Sequence, residues 1–376
     1  MKEWVYPEHS RSQITRSGVI LRNSDDPFNQ IEAIEALNNW KAAHELPLHY
    51  IMKTIKKYAN NVSKVTTIVQ RRKRTESILL KLNQQPKLDL ARMQDLVGFR
   101  IVFRHNDSKK NLAKIDELVE IISESRMRSK VTRLTNYIEK PRDSGYRSVH
   151  AIFKYNSYTY PGHNNMQVEL QIRTKIQHYW ATAVETVGMF ERSHLKQGLG
   201  DEDWLEFFRI MSLLMSIDEG TIEVTNEEKN VIRKELRDIS EKIGASGQLQ
   251  LIAIQNALLQ REYNQIQRKM KLNLGYMLLK LDLRPLIDSV APVSGDKEKD
   301  LGAMINIIGF AKNQELKATE EYSRMEKEAH ENSDVFVLLA KAQDVRSLKN
   351  GFPNYFADIR EFIKMHDEYC HIQNTD

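Results

Sequence analysis

Apolar side chains recur at helical spacing near the start of the chain: Ile31, Ile34, Leu37 and Trp40, then Leu48, Ile51, Ile55 and Tyr58. Pro47 falls between the two sets and predicts two helices rather than one. A further helix is predicted from 62 to about 82, ending near Asn83 and Pro86. Four consecutive bases, Arg71, Arg72, Lys73 and Arg74, sit in its middle. The period then changes. LVGFRIVF, VTRLTNYI, YRSVHAIFKY and MQVELQIR are short, rich in β-branched and aromatic residues, and bounded by turn signals, so four strands are predicted. Residues 109–125 read as a helix packed on that sheet, and IQHYWATAVETVGMFE as another. The pattern from 201 to about 269 is helical again, with a break at 244–247 that suits a joint between domains. LNLGYMLLKLDL and DVFVLLA alternate as strands, a polar helix lies between them over about 311–330, and two short helices close the chain. The predicted fold class is α/β: a mixed β-sheet flanked by helices, then a helical linker and a small α/β C-terminal domain.

Composition narrows the picture only a little. A chain of 376 residues can form two domains. Its 56 basic and 51 acidic residues leave a net charge of +5, which permits a polyanionic partner without establishing one. The single cysteine, Cys370, excludes an intrachain disulfide and argues against a cysteine-rich zinc site. No apolar run approaches the length of about 18 residues that a membrane span needs. MKEWVYPEHS does not resemble a signal peptide, and a cytoplasmic protein is expected.

Candidate chemistry begins with two acids. In MQVELQIRT, Val168, Leu170 and Ile172 point one way, and Gln167, Glu169, Gln171 and Arg173 the other. Asp95 stands just ahead of LVGFRIVF. Brought together across a sheet, these carboxylates would hold Mg²⁺ through hard oxygen ligands, and the ion would neutralise a nucleoside triphosphate. Each has an ordinary alternative: Glu169 as a solvated strand residue paired with Arg173 or Arg100, Asp95 as a turn or helix cap. The basic run reads as a solvated helix face or as a loop wrapping phosphates. In KPRDSGYRSVH a DSG turn leads into a strand that Tyr146 opens, its ring a candidate stacking surface and otherwise an ordinary strand residue. The two-residue period puts His150 on the face of Tyr146 and Ser148, with no partner named for it. Neither GxxxxGK[ST] nor GxGxxG occurs, so neither a P-loop nor a dinucleotide fold is supported. HDEYCH, though metal-like in composition, reads as a surface tail because its side chains diverge on a helix.

RRKRTESILLK, RMQDLVGFRIV, RDSGYRSVH and VELQIRT, in that order, resemble the synthetase domain of the RelA/SpoT family over roughly residues 30 to 220. The resemblance implies a nucleotidyltransferase-like sheet and transfer of the β,γ-pyrophosphate of ATP to a ribose 3′-hydroxyl. By motif, Asp95 and Glu169 become catalytic Mg²⁺ ligands, with Glu169 also orienting or deprotonating the hydroxyl. Arg71, Lys73, Ser77, Lys81 and Arg100 become ATP-binding residues. Tyr146 matches the ring that stacks on the acceptor base, and His150 matches a histidine at the edge of that pocket. Too few residues precede the basic run for the histidine–aspartate hydrolase domain of the long members, so a synthetase-only protein is expected.

The last hundred residues or so resemble the C-terminal domain of the CapRel-type, fused toxin–antitoxin branch, a zinc finger without its metal ligands. That branch carries a YxxY brake on the ATP site, matched here in GFPNYF by Phe352 and Tyr355; the alternative is a small local core with Val345 and Phe362. The implied domains are 1–220 (toxin), 221–268 (helical linker) and 269–376 (autoinhibitory antitoxin and sensor). The branch also implies the terminal adenosine of tRNA as acceptor, in an autoinhibited antiphage toxin triggered by a phage protein such as capsid protein. Lys56, Lys57, Arg126, Arg128 and Lys130 are then candidates to steer the tRNA. GDP or GTP as acceptor, yielding (p)ppGpp, is the alternative reading, and a catalytically inactive RNA-binding regulator is a third. Oligomeric state stays open.

Overall fold

A computed structural model describes residues 4–24, 26–73, 75–190, 195, 200–250, 252–253, 274–282, 305–311, 313–330, 335–341 and 359–371. Helix α1 (Arg11–Asn23) opens on a capping box in which the Ser10 hydroxyl accepts from Gln13 N–H and the Gln13 side chain accepts from Ser10 N–H. Asp26 caps α2 (Pro27–Ala43), whose leading proline is pre-set for a first helical position. Helix α3 runs Glu45–Val62. Pro47 therefore does not separate the two helices. It sits in the first turn of α3, where a backbone N–H would have no helical partner, and the break falls at His44.

The helix predicted over 62–82 does not form as one. After α3 the chain becomes strand β1 (Thr66–Arg72) and only then helix α4 (Thr75–Gln84). Thr66, Thr67, Ile68 and Val69 are β-branched, and they pair antiparallel along the whole of β2 (Val97–Phe103), from Thr66 opposite Phe103 to Arg72 opposite Val97. Arg71 and Arg72 thus end an edge strand, and Lys73 follows it, rather than lying on a helix face.

With β3 (Lys130–Asn136), β4 (Val149–Lys154) and β5 (Gln167–Thr174), these strands form a five-stranded sheet in the order β1-β2-β5-β4-β3. Only β2 and β5 run parallel. Phe99 and Ile101 of β2, Leu170 and Ile172 of β5 and Phe153 of β4 face one side. There they join Ile51 and Ile55 of α3 and Ile115, Leu118 and Ile122 of α5 (Ser108–Glu124) in a single core. The alternate positions, Gly98, Arg100, His150, Glu169, Gln171 and Arg173, belong to the opposite face. A second cluster ties α1, α2 and α4 together through Ile14, Leu37, Trp40, Ile78 and Leu82.

This first compact unit comprises residues 1–140 and 147–175, and a second comprises 141–146 and 176–376. Along the chain the second unit resumes after Lys175. The second unit contains α6 (Lys175–Phe190), α7 (Glu202–Glu219), α8 (Asn226–Ile243) and α10 (Arg360–Cys370). Gly244, with φ of 63°, ends α8 in the left-handed conformation that favours glycine. HDEYCH is not a surface tail. It forms much of α10, where Phe362 packs on Phe207 and Phe208, Tyr369 donates to Asp218 at 2.6 Å, and buried His366 lies 3.1 Å from the Ser240 hydroxyl. The same unit holds a three-stranded antiparallel sheet, β7-β6-β8, built from β6 (Leu274–Asp282), β7 (Ile305–Ala311) and β8 (Val335–Lys341). Helix α9 (Glu315–His330) covers it through Ala318 and Met325. Strand β7 was not predicted. Among the described residues no helix is long and apolar enough to cross a membrane.

Candidate active site

Sheet register assembles the site. Arg71, Gly98 and Glu169 stand opposite one another across β1, β2 and β5, and Val69, Arg100, Gln171 and His150 form the next row. Gly98 is required where it stands: a Cβ there would come within 2.5 Å of the Glu169 carbonyl oxygen. Asp95 precedes β2 and receives two ammonium groups, Lys73 Nζ at 2.7 Å and Lys81 Nζ at 2.9 Å. Lys73, just after β1, is tied to this approach by its backbone N–H, which donates to the Leu96 carbonyl at 2.9 Å. Lys81 comes from α4, anchored by fully buried Ile78 and Leu82. Ser77 lies one turn earlier on the same helix.

Glu169 sits on the open face of β5. Its Oε1 is 2.9 Å from His150 Nδ1, and its Oε2 accepts from Gln171 Nε2 at 2.8 Å. Tyr137 sets its ring edge-on to His150, with centroids 5.3 Å apart. Burial pushes the Asp95 carboxyl up, but the charges of Lys73 and Lys81 outweigh it and hold the group at about 2. Burial also raises Glu169 and the negative charge of Asp95 adds to that; the hydrogen bond and charge of His150, with help from Gln171, still bring it below the ordinary value. In the sheet register Asp95 stands three residues before Gly98, the residue opposite Glu169. Both are anionic near neutral pH.

Of the residues singled out in the sequence, Asp95 is joined by Lys73 and Lys81 and Glu169 by His150, and Arg100 lies one row along from Gly98 on the face of Glu169. Arg71 holds the register position opposite Gly98. Tyr146 does not open a strand or share a face with His150, because β4 begins only at Val149. It belongs to the second unit, 4% exposed, its ring 6.3 Å from that of Trp180 and the Arg142 guanidinium 5.6 Å from its centre. Lys56, Lys57, Arg126, Arg128 and Lys130 are exposed. Phe352 and Tyr355 lie outside the described residues. Sequence reasoning missed Gly98 and Gln171. A glycine inside a strand pattern was the available signal for the first, and a polar residue two along from Glu169 for the second. Among the described residues no group of three or more His, Cys, Asp or Glu side chains could hold a metal. Two ionised carboxylates without a third suit Mg²⁺, which is commonly bound through one or two carboxylates plus substrate phosphates.

Residues 70–190 match the family described as "Region found in RelA / SpoT proteins". Over these residues the chain is similar to RelA/SpoT proteins. A curated relative, GTP pyrophosphokinase YjbM of Bacillus subtilis (strain 168), is 30% identical over 136 residues, which is 35% of this chain and 60% of the relative's length. Among solved structures, small alarmone synthetase 1 of Bacillus subtilis bound to its product pppGpp shares 21% identity, with 51% of this chain and 94% of that chain covered and a TM-score of 0.39. Small alarmone synthetase 2 of the same organism shares 18% identity, covers 48% and 93%, and gives 0.40. The curated relative overturns the expected partners. It is named for GTP, so the tRNA 3′ end is withdrawn as the acceptor, and the phage-protein trigger inferred with it is withdrawn too.

Proposed function

We propose that this chain is an ATP-dependent pyrophosphotransferase that acts on GDP or GTP to make (p)ppGpp. The observation that supports the reading is that Asp95, held by Lys73 and Lys81, lies three residues ahead of Gly98, the β2 residue that stands opposite Glu169 on β5. The name of the curated relative supports the guanine nucleotide as acceptor.

The two lysines are the natural phosphate clamps. In this state each ammonium rests on Asp95; a triphosphate offers them several anionic oxygens at once, and charge-assisted bonds to phosphate are strong. Asp95 and Glu169 would hold Mg²⁺, which when bound neutralises the charge that develops on the phosphates. Arg100 adds positive charge to the same face. Glu169 takes the proton of the acceptor 3′-hydroxyl. The freed oxygen bonds to the β-phosphorus, the bond from that phosphorus to the α,β-bridging oxygen breaks, and AMP departs with the electron pair. A sugar hydroxyl is a weak nucleophile, so alignment and charge supply most of the rate.

Incubating the purified chain with γ-labelled ATP and GDP or GTP is expected to move label onto the guanine nucleotide, one AMP appearing per transfer. Asp95→Asn and Glu169→Gln should each reduce that transfer by about 1,000-fold or more, with circular dichroism unchanged. Absence of label on either guanine nucleotide with folded wild-type protein would refute the reading.

A further inference from the structure

The transfer described above needs Glu169 to present its carboxylate in one orientation, and β5 itself contains a device for this. Glu169 and Gln171 share the open face, two positions apart, and Gln171 pairs with His150 across β4. His150 engages Oε1 of Glu169 and Gln171 engages Oε2. Taken alone, a glutamine amide has two nearly equivalent orientations, because its oxygen and nitrogen have the same shape. Arg173 removes that freedom. Its Nη2 donates to Gln171 Oε1 at 3.1 Å, and a guanidinium has no acceptor atom. The amide oxygen must face Arg173, so the NH₂ group must face Glu169. Arg173 is fully buried, which prevents this end of the chain of bonds from turning to water.

We propose that Gln171 is a positioning residue for pyrophosphate transfer, an amide relay through which buried Arg173 fixes the orientation of the Glu169 carboxylate. The proposal rests on the function given above and goes beyond it in saying what aims the base. Gln171 touches neither nucleotide in this scheme. It acts by limiting the rotamers of a group whose misplacement by about 1 Å costs on the order of 100-fold in rate.

A structural role would be different: Gln171 could serve only to satisfy the buried guanidinium. Gln171→Glu separates the two. It gives Arg173 a stronger, charged partner but sets a like charge against Glu169 where a donor had been. The relay predicts a kcat lower by about 100-fold, KM for ATP within about twofold, and a melting temperature at or above that of wild type. Gln171→Met, which keeps chain length and removes both bonds, should lose kcat to a similar extent. A role confined to Arg173 predicts that Gln171→Glu stays as active as wild type.

A second measurement does not depend on turnover. The Gln171 side-chain amide signals, identified in ¹⁵N spectra by their absence from Gln171→Met, should exchange slowly with solvent in wild type and rapidly in Glu169→Ala. Wild-type transfer with kcat retained in both Gln171 variants would overturn the relay alone, as would an amide unaffected by Glu169→Ala. A wild-type chain that transfers nothing would overturn the proposed function and the relay's catalytic role, while the amide signal still decides the geometry.

Discussion

A carboxylate holding two ammonium groups stabilises the fold only while it is charged. The folded value for Asp95, about 2, lies below the unfolded value of 3.8. The unfolded chain therefore takes up the proton first. Stabilisation is complete above the unfolded value and is lost as pH falls through the folded one. With Asp95 20% exposed, the contribution is about 1–2 kcal/mol after discounting for solvent. Asp95→Asn should accordingly melt at lower temperature than wild type at pH 7 in metal-free buffer, and the gap should shrink by roughly half at about pH 3. Melting curves across that range provide the check, and a gap that stays constant would contradict the ion-pair account. Gly98 makes a different demand, on space. The atom a Cβ would strike is a backbone oxygen, which cannot rotate away. Gly98→Ala is expected to part β2 from β5, costing about 1–3 kcal/mol in stability and about 100-fold in transfer as Asp95 and Glu169 separate. Denaturant melts and the labelled-ATP assay would test both figures; wild-type values would mean the strands yield without cost.

Secondary-structure elements show where local pattern was enough and where it was not. MQVELQIRT alternates strictly, and its alternation was legible: Val168, Leu170 and Ile172 are fully buried while Glu169 is partly open. The basic segment misled, because TTIVQRR carries no clear period of its own and becomes a strand by pairing with β2. HDEYCH misled for the opposite reason. Its polar composition suggested surface, yet Phe362, His366 and Tyr369 recur at helical spacing and form the buried side of α10. Phe362→Ala should destabilise the protein by about 3–5 kcal/mol, since the ring is fully buried against Phe207 and Phe208. A chemical-denaturation midpoint unchanged by this substitution would show α10 to be a loosely held end.

Across the whole molecule, the chain is divided by contact rather than by order. The short segment 141–146 interrupts the first unit in sequence and belongs to the second. Ser212 of α7 donates to the Gly145 carbonyl at 2.5 Å, and a Cβ on Gly145, at φ of +83°, would approach the Ser212 Cβ to 2.8 Å. Nothing in RDSGYRSVH announces that attachment, because it is made by a helix far along the chain. By itself the sequence determined the α/β class, the strands β2 and β5, and the places of Asp95 ahead of one and Glu169 within the other, since all of these depend on side-chain period and chemical type over a few neighbouring residues. Tertiary structure alone decided that Lys73 and Lys81 sit on Asp95, that His150 and Gln171 grip Glu169, and that β1 is a strand. Those are pairings between distant segments, whose free energy exists only once the register of the sheet has brought them within bonding distance.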